Sequence, residues 1–487
     1  MANILISSFG NGSRDPNTTE WGYRDTIYFD VATNRQTKTP KHLIMPAMQE
    51  LFKIDKVLLI GTVGSDWSML YKEVMAGRSG FKPVSKQRDG AYYRRLKEYY
   101  DRSKSERISV KEMKDALKIL KTEMGEAYSD FCVLEYGITQ EEQMYNMNEL
   151  MKSVDACVRD GDAVFFDISH SFRSLPFYAL LVSRILKQIK NNVTIEMIPY
   201  AMFEAKGLFQ DRTPLVDMSQ LVDMVDLASA VDEYKNFGTA YQLIRLLEND
   251  TYFTRELATE LGGNTTDALR LLGTSVSANN IADFQNAVKK IVEILNSPQS
   301  LINHSDKLIV FKMLFSSIAE DFGAYKDDAV ALQFAFSRWH YRHGRFLHSV
   351  ILLYEAIVSM VAEMLDQKNL KSIRKTTNHT LYTSWSPGDN YVPFDAEASE
   401  TLKRFFDAYH NIRKIRNSSA HVHTLSQLDM DNYKKYSERM QDIYDETTKN
   451  VKLAEELKKE IRRRQHFVDQ TNNNTINTVK NLEYLGE

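Results

Sequence analysis

The chain has 487 residues, 43% of them hydrophobic, which is more than one core normally organises, so two or three domains are expected. Its 62 Lys and Arg against 65 Asp and Glu leave a net charge of -3. That balance excludes a protein that coats long nucleic acid, while a local basic pocket can still hold a polyanion. The two cysteines, Cys132 and Cys157, fall in apolar patterns rather than at metal-binding spacing and read as reduced core residues. The first residues lack a basic segment and read as a strand rather than a signal peptide. No apolar run is expected to approach the roughly 18 to 20 residues of a membrane span, so the expectation is a soluble, cytoplasmic protein with no membrane partner.

To about residue 205, short β-rich runs alternate with helical periodicities, the pattern of a doubly wound, Rossmann-like α/β fold. Strands are expected at 3–9, 26–32, 57–61, 131–135, 162–167 and 193–199, with amphipathic helices at 40–52 and 141–158 among the segments between. Residues 86–105 form a charged, tyrosine-rich insertion whose Arg94, Arg95 and Arg102 read as a solvated helix face. Beyond Met202 the β signal stops, and Pro214 to Asp217 reads as a turn. From Ser219 to about His466 the spacing is helical, broken by Gly262-Gly263-Asn264, Ser297-Pro298 and Ser386-Pro387-Gly388-Asp389. The expected division is therefore 1–219 as an α/β domain, 220–329 as a helical connector and 330–487 as a second, all-α functional domain. Its polar tail, from Thr471, is expected to be mobile as far as Leu482.

The densest stretch is Ala163-Val164-Phe165-Phe166-Asp167-Ile168-Ser169-His170-Ser171-Phe172-Arg173-Ser174-Leu175-Pro176. Four apolar residues fit a strand covered on both faces, and Pro176 suits the first turn of a helix. A hydroxyl, an imidazole and a guanidinium thus lie at the carboxyl end of a central strand, where open α/β sheets bind ligands. Two further strand ends, Ser7-Ser8-Phe9-Gly10-Asn11-Gly12 and Gly61-Thr62-Val63-Gly64-Ser65-Asp66-Trp67, offer small and hydroxyl residues that let backbone N–H groups approach a phosphate or ribose. A helix is expected after each, its N-terminus favouring anions. Ser8, Thr62 and Ser169 also fit plain capping roles, and Trp67 a packing role. A dinucleotide-binding reading of Gly10-Asn11-Gly12 is weak, because Asp15 stands where the third glycine belongs. No Walker-type loop is present.

The turn Asp167-Ile168-Ser169-His170-Ser171-Phe172-Arg173 resembles that of the CRISPR-associated proteins of type III systems that join a CARF sensor domain to a HEPN ribonuclease domain. Those proteins usually read Asp-Ile-Thr-His-Gly-Phe-Arg. Ser169 keeps the hydroxyl, whereas Ser171 adds a side chain where glycine lets ligand and backbone approach closely. The resemblance implies that Ser8, Gly10, Thr62, Ser169, His170 and Arg173 line a pocket for a cyclic oligoadenylate activator, by resemblance to this subgroup a ring of four adenylates, with no metal and no other cofactor.

Near the end of the helical part, Arg416-Asn417-Ser418-Ser419-Ala420-His421 matches the HEPN pattern of an arginine, a polar residue and a histidine; His423 offers an alternative register. An upstream helix over 334–365 carries Glu355 and Ala356 in the manner of the HEPN domain's first helix. The resemblance implies a homodimeric, metal-independent endoribonuclease that cleaves single-stranded RNA in antiviral defence. The residue types suit that chemistry. An imidazole with a pKa near ~6.5 moves protons, and an always-charged guanidinium stabilises phosphorane oxygens. Asn417 orients His421 or bonds a phosphate. One imidazole cannot be base and acid at once, which points to two copies of the motif in one composite cleft. In-line attack by the 2′-hydroxyl favours flexible, single-stranded substrate.

His410 and Arg413 read as supporting or interface residues. Arg338, Arg342 and Arg345 form either a basic stripe that guides RNA or a plain solvated face. His340 and His343 lack a third ligand at metal spacing. Lys458, Lys459, Arg462, Arg463 and Arg464 read as the end of a charged helix. Two other classes remain, a CARF-type transcription regulator, for which no helix-turn-helix is evident, and an inactive HEPN-fold binding protein.

Overall fold

The structure, a computed structural model, describes residues 1–10, 13–14, 21–22, 25–78, 84, 89–125, 131–169, 174–248, 259, 263–298, 309–365, 380–381, 392–395, 398–420 and 427–483. Two compact units divide the chain, Met1–Val225 and Asp226–Glu487.

The first unit runs β1 Asn3–Ser8, β2 Ser13–Arg14, β3 Trp21–Gly22, β4 Ile27–Asp30, α1 Ile44–Phe52, β5 Lys56–Thr62, α2 Trp67–Met75, α3 Gly90–Arg102, α4 Val110–Ala116, α5 Lys118–Met124, β6 Cys132–Leu134, α6 Gln140–Cys157, β7 Ala163–Asp167, α7 Leu175–Ile189, β8 Thr194–Met197, β9 Pro199–Ala201 and β10 Arg212–Asp217. Its main sheet has five parallel strands in the order β6-β5-β1-β7-β8. Alternation along the strands divides the apolar residues between two faces. Leu5, Val57, Leu59 and Phe165 pack with α1 and α2, while Ile4, Ile6, Leu58, Ile60, Val164 and Phe166 pack with α6 and α7. Both faces are dry, which is why these strands read as unbroken apolar runs. From β1 the chain winds outward through β5 and β6, then returns to the other side of β1 with β7. The winding therefore reverses between β1 and β7, and the crevice at such a reversal is where this sheet type takes ligands.

Several expectations hold. Trp67 is buried against Phe9 and Phe131, both cysteines are buried and free, and Arg94 and Arg95 lie on the exposed face of α3. Others do not. The β signal does not stop at Met202, because residues 214–217, expected as a turn, lie in β10 at the centre of a second sheet ordered β4-β10-β9. Pro214 precedes the antiparallel pairing with β9, which begins at Leu215, and its carbonyl accepts from the Met202 N–H at 3.0 Å. Its missing N–H thus leaves that ladder intact. Among the described residues, β1 is followed by the short β2–β3 pair rather than by a helix.

The second unit continues from α8 Gln220–Phe237, in which the division falls, through α9 Tyr241–Glu248, α10 Gly263–Ala278, α11 Ile281–Asn296, α12 Ile309–Phe322, α13 Ala329–Arg342, α14 Phe346–Met364, α15 Glu400–Ala420, α16 Gln427–Lys449 and α17 Val451–Glu483. Among its described residues there is no strand. One apolar cluster joins α8 to α13, with Phe284 stacked on Phe336 at 4.0 Å. Another joins α13 to α17 through Phe334, Leu353, Ile357, Phe405, Ile412, Tyr433 and Ile461.

The helix expected over 334–365 is two helices, broken where Gly344 adopts a φ of +69° that other residues rarely take. The arginine stripe breaks with it. Arg345 caps α14 and donates to the Gly238 carbonyl, Arg338 donates to the Gln441 side chain, and only Arg342 is exposed. α14 is also long and apolar enough to cross a membrane, with a mean hydropathy of 1.6, contrary to the sequence expectation. Its Val350, Ala356, Ile357 and Val361 are fully buried in the second cluster, so it is apolar around much of its girth because it is a core helix. At the other end of the unit, the helix expected to finish near 464 and the tail expected to be mobile are one helix, α17, reaching Glu483. Arg464 lies in its interior, wholly buried between Phe394 and Phe406 and paired with Glu460 at 2.7 Å.

Of the two histidines weighed as metal ligands, His343 directs its ring nitrogens at the carbonyl oxygens of Trp339 and Lys235, at 2.6 and 2.7 Å. His340 is fully buried against Phe336, its ring nitrogens without hydrogen-bond partners. Burial, followed by Arg345, His348 and His343, pushes its pKa from 6.5 down to about 2. A histidine held neutral in this way gives full stability above its unfolded pKa and loses it as pH falls from 6.5 toward 2. Calorimetric unfolding at pH 7.5 and 5.0 should show a markedly larger drop in Tm for the wild-type chain than for His340→Phe, by about 2 kcal/mol of stability; equal drops would contradict this.

Candidate functional site

Asp167 ends β7 in the crevice where the winding reverses, opposite Ser7 on β1. It is 1% exposed, and a buried carboxylate requires donors. The Ser7 hydroxyl donates to Oδ2 at 2.6 Å, and the Ser169 N–H donates to Oδ1 at 2.8 Å. Burial raises the Asp167 pKa from 3.8 to about 6, and these hydrogen bonds hold it from rising further. The neighbouring Ser8 hydroxyl donates to the Asp167 carbonyl at 3.2 Å, and Ser169 Oγ accepts the Ala201 N–H at 2.7 Å.

The end of β5 is tied in the same way. Thr62 Oγ1 accepts the Gly64 N–H at 3.2 Å, Ser65 Oγ accepts the Thr62 N–H at 2.9 Å, and the Ser65 hydroxyl donates to the Phe9 carbonyl at 2.8 Å. The Trp67 indole N–H donates to the Thr62 carbonyl at 3.1 Å, and a Cβ on Gly61 would lie 2.4 Å from that ring, so glycine is required there.

The structure therefore brings Ser8, Gly10, Thr62 and Ser169 to adjacent strand ends, with Ser8, Gly10 and Thr62 buried. The hydroxyls of Ser8, Thr62 and Ser169 bond backbone groups, but none of the three is a helix cap, the caps of α2 and α7 being Asp66 and Ser174. His170 and Arg173 lie outside the described residues. The sequence reading missed Ser7 and Asp167 as the members of the crevice that hold the others. The available signal was an ionisable residue closing the apolar run Ala163-Val164-Phe165-Phe166, which demands a donor from the neighbouring strand.

In the second unit, Arg416 and Asn417 lie in the last turns of α15, a 21-residue helix. The Arg416 guanidinium donates to Asn417 Oδ1 at 3.2 Å and sits 5.4 Å from the centre of the Tyr354 ring on α14. Both residues are partly exposed, and among the described residues no carboxylate lies within ion-pair reach of Arg416. Earlier on the same helix, His410 is half-buried, its pKa lowered by burial and by Arg413 and Lys414, while Asp407 binds Arg439 at 2.6 Å and Asn411 at 3.0 Å. Ala356 is fully buried and Glu355 partly so. His421 and His423 lie outside the described residues.

The Asp167 network generates a stability prediction. A carboxyl with a raised folded pKa costs stability as pH rises from 3.8 to about 6, and the cost is complete above that. Asp167→Asn should flatten that dependence and stay close to wild type in Tm at pH 7.5. Asp167→Ala, which strands the Ser7 hydroxyl and the Ser169 N–H, should lose about 1 to 3 kcal/mol. Equal losses in both variants would contradict the assignment.

Residues 4–204 match a family model described as CRISPR system endoribonuclease Csx1, CARF domain. The CRISPR-associated protein MJ1674 of Methanocaldococcus jannaschii is 23% identical over 496 aligned positions, which cover 99% of this chain and 71% of that protein. The solved structure of Enterococcus italicus Csm6 bound to cyclic hexa-2′-fluoro-hexa-dAMP aligns with 96% of this chain and 100% of its own at 10% identity, with a TM-score of 0.37, too low to establish a shared fold. The matched residues contain the parallel sheet and its Ser7–Asp167 crevice, so the first unit of the chain is a CARF domain of the CRISPR-associated kind.

Proposed function

We propose that this protein is an endoribonuclease switched on by a cyclic oligoadenylate, working in the cytoplasm as part of type III CRISPR defence. The activator binds at the strand ends of the CARF unit, and single-stranded RNA is cut at the Arg416, Asn417 and His421 motif. The observation that carries the reading is the presence in one chain of a CARF domain and, at the end of α15, an arginine without a described carboxylate partner, followed five residues on by a histidine.

Each part has a chemical role. An oligoadenylate ring presents phosphates and adenine edges; the carboxyl ends of β1, β5 and β7 supply backbone groups, and the sequence that follows β7 supplies His170 and Arg173. At the other motif, the RNA 2′-hydroxyl loses its proton and attacks the adjacent phosphorus. The bond to the 5′-oxygen breaks, that oxygen takes a proton, and a 2′,3′-cyclic phosphate and a 5′-hydroxyl remain. His421 moves the proton, Arg416 balances the charge on the phosphorane oxygens, and Asn417 orients its neighbours. No step needs a metal ion.

A second copy of the chain supplies the second imidazole. Support for pairing comes from the two helices that cover one face of the sheet. α7 leaves Phe177 73% and Leu181 52% exposed, and α6 leaves Met144 61% exposed. Apolar side chains exposed on neighbouring helices are typical of a surface covered by another chain. Nuclease and sensing functions are separable by mutation. His421→Ala and Arg416→Ala should each lower RNA cleavage by roughly 10² to 10⁴-fold in EDTA while binding of cyclic tetra-adenylate is retained. Wild-type cleavage by both variants would overturn the reading, and a chain that only senses its ligand has no cleavage to lose. The double variant Phe177→Asp, Leu181→Asp should run as a monomer in light scattering at micromolar concentration; an unchanged mass would contradict the pairing face.

A further inference from the structure

Arg416 is held differently from the arginines of its unit that are seen to pair with carboxylates. Arg439 pairs with Asp407, and Arg463 and Arg464 both pair with Glu460. Arg416 instead places its guanidinium 5.4 Å from the centre of the Tyr354 ring. A carboxylate partner would fix an arginine but also offset the charge that must meet a phosphorane. An aromatic face attracts the guanidinium through its quadrupole and leaves the net charge in place.

The face itself is fixed. Tyr354 is 6% exposed on α14, between core neighbours Leu353 and Ile357. Its ring lies nearly parallel to that of Tyr409 on α15, at 24° and 6.0 Å. Tyr409 is 1% exposed and sits two turns before Arg416 on the same helix. The pair thus ties the helix that carries the guanidinium to the ring on which the guanidinium rests. Arginine has several rotatable bonds to restrain before it can act in one geometry, and a rigid platform removes part of that cost.

We infer that Tyr354 is a positioning residue for Arg416, acting through its ring face, with Tyr409 as its brace. This rests on the nuclease reading above. It accounts for a large aromatic ring on α14 lying within reach of the Arg416 guanidinium.

The test uses the full-length chain, fluorescent single-stranded RNA and saturating cyclic tetra-adenylate, with the cyclic tri- and hexa-adenylates in parallel. Tyr354→Leu and the closer-volume Tyr354→Met remove the ring face, whereas Tyr354→Phe keeps it. The Leu and Met variants should lose roughly three- to thirtyfold in kcat with KM within about twofold, and the Phe variant should stay within about threefold of wild type. Thermal melts of each variant separate a rate effect from loss of folded protein. Wild-type kcat in a folded Leu or Met variant overturns the inference, as does an equal loss in the Phe variant, which would move the role to the hydroxyl. Arg416→Ala run alongside distinguishes the two levels: its inactivity combined with wild-type rates at position 354 defeats only the Tyr354 assignment, and its full activity defeats the nuclease reading itself.

Discussion

A carboxylate buried at the end of a parallel strand must be given donors, and meeting that demand organises the CARF unit. Asp167 takes one hydrogen bond from Ser7 on the adjacent strand and one from the Ser169 N–H in the loop that follows. The first ties β1 to β7 at their carboxyl ends. The second fixes how the chain leaves β7 before α7. Because the winding reverses between these two strands, their carboxyl ends lie where this sheet type takes ligands. An apolar residue at position 167 would leave the Ser7 hydroxyl and the Ser169 N–H without that acceptor.

The helical unit presents the opposite case, a partly exposed guanidinium with no carboxylate partner among the described residues. Three of its described arginines rest on aromatic rings, and Arg439 and Arg464 also have carboxylate partners whereas Arg416 has none among the described residues. Arg464 is wholly buried between Phe394 and Phe406 and has Glu460 as its counter-ion, which suits a structural role. Arg416 is partly exposed on Tyr354 with only the neutral Asn417 amide as a described polar partner. The same contact type thus serves packing in one place and availability in the other, and the counter-ion decides which.

Much of this was legible in the sequence wherever a residue has one dominant demand. The unbroken apolar runs at 57–61 and 162–167 mark strands covered on both faces, and Pro176 sits within the first turn of α7 as its fixed φ allows. Local composition misled where tertiary contacts outweigh it. Pro214 and Asp217 suggest a turn, yet pairing with both β4 and β9 makes a strand. Gly344 disappears inside a strong helical periodicity, although its backbone conformation ends α13 and turns the chain into α14. The polar run from Thr471 gives no reason to expect order and continues α17 as helix. Ser7 was hidden because a serine closing an apolar strand looks like a cap, and only the register with β7 shows that it faces a carboxylate.

The coupling of sensor to nuclease is the central claim, and one measurement reaches it directly: the rate of single-stranded RNA cleavage by the wild-type chain in EDTA, with and without each of the cyclic tri-, tetra- and hexa-adenylates. The account predicts weak cleavage alone and strong stimulation by one ring size, the tetramer. Identical rates with and without every ring, or cleavage that requires a divalent ion, would contradict it.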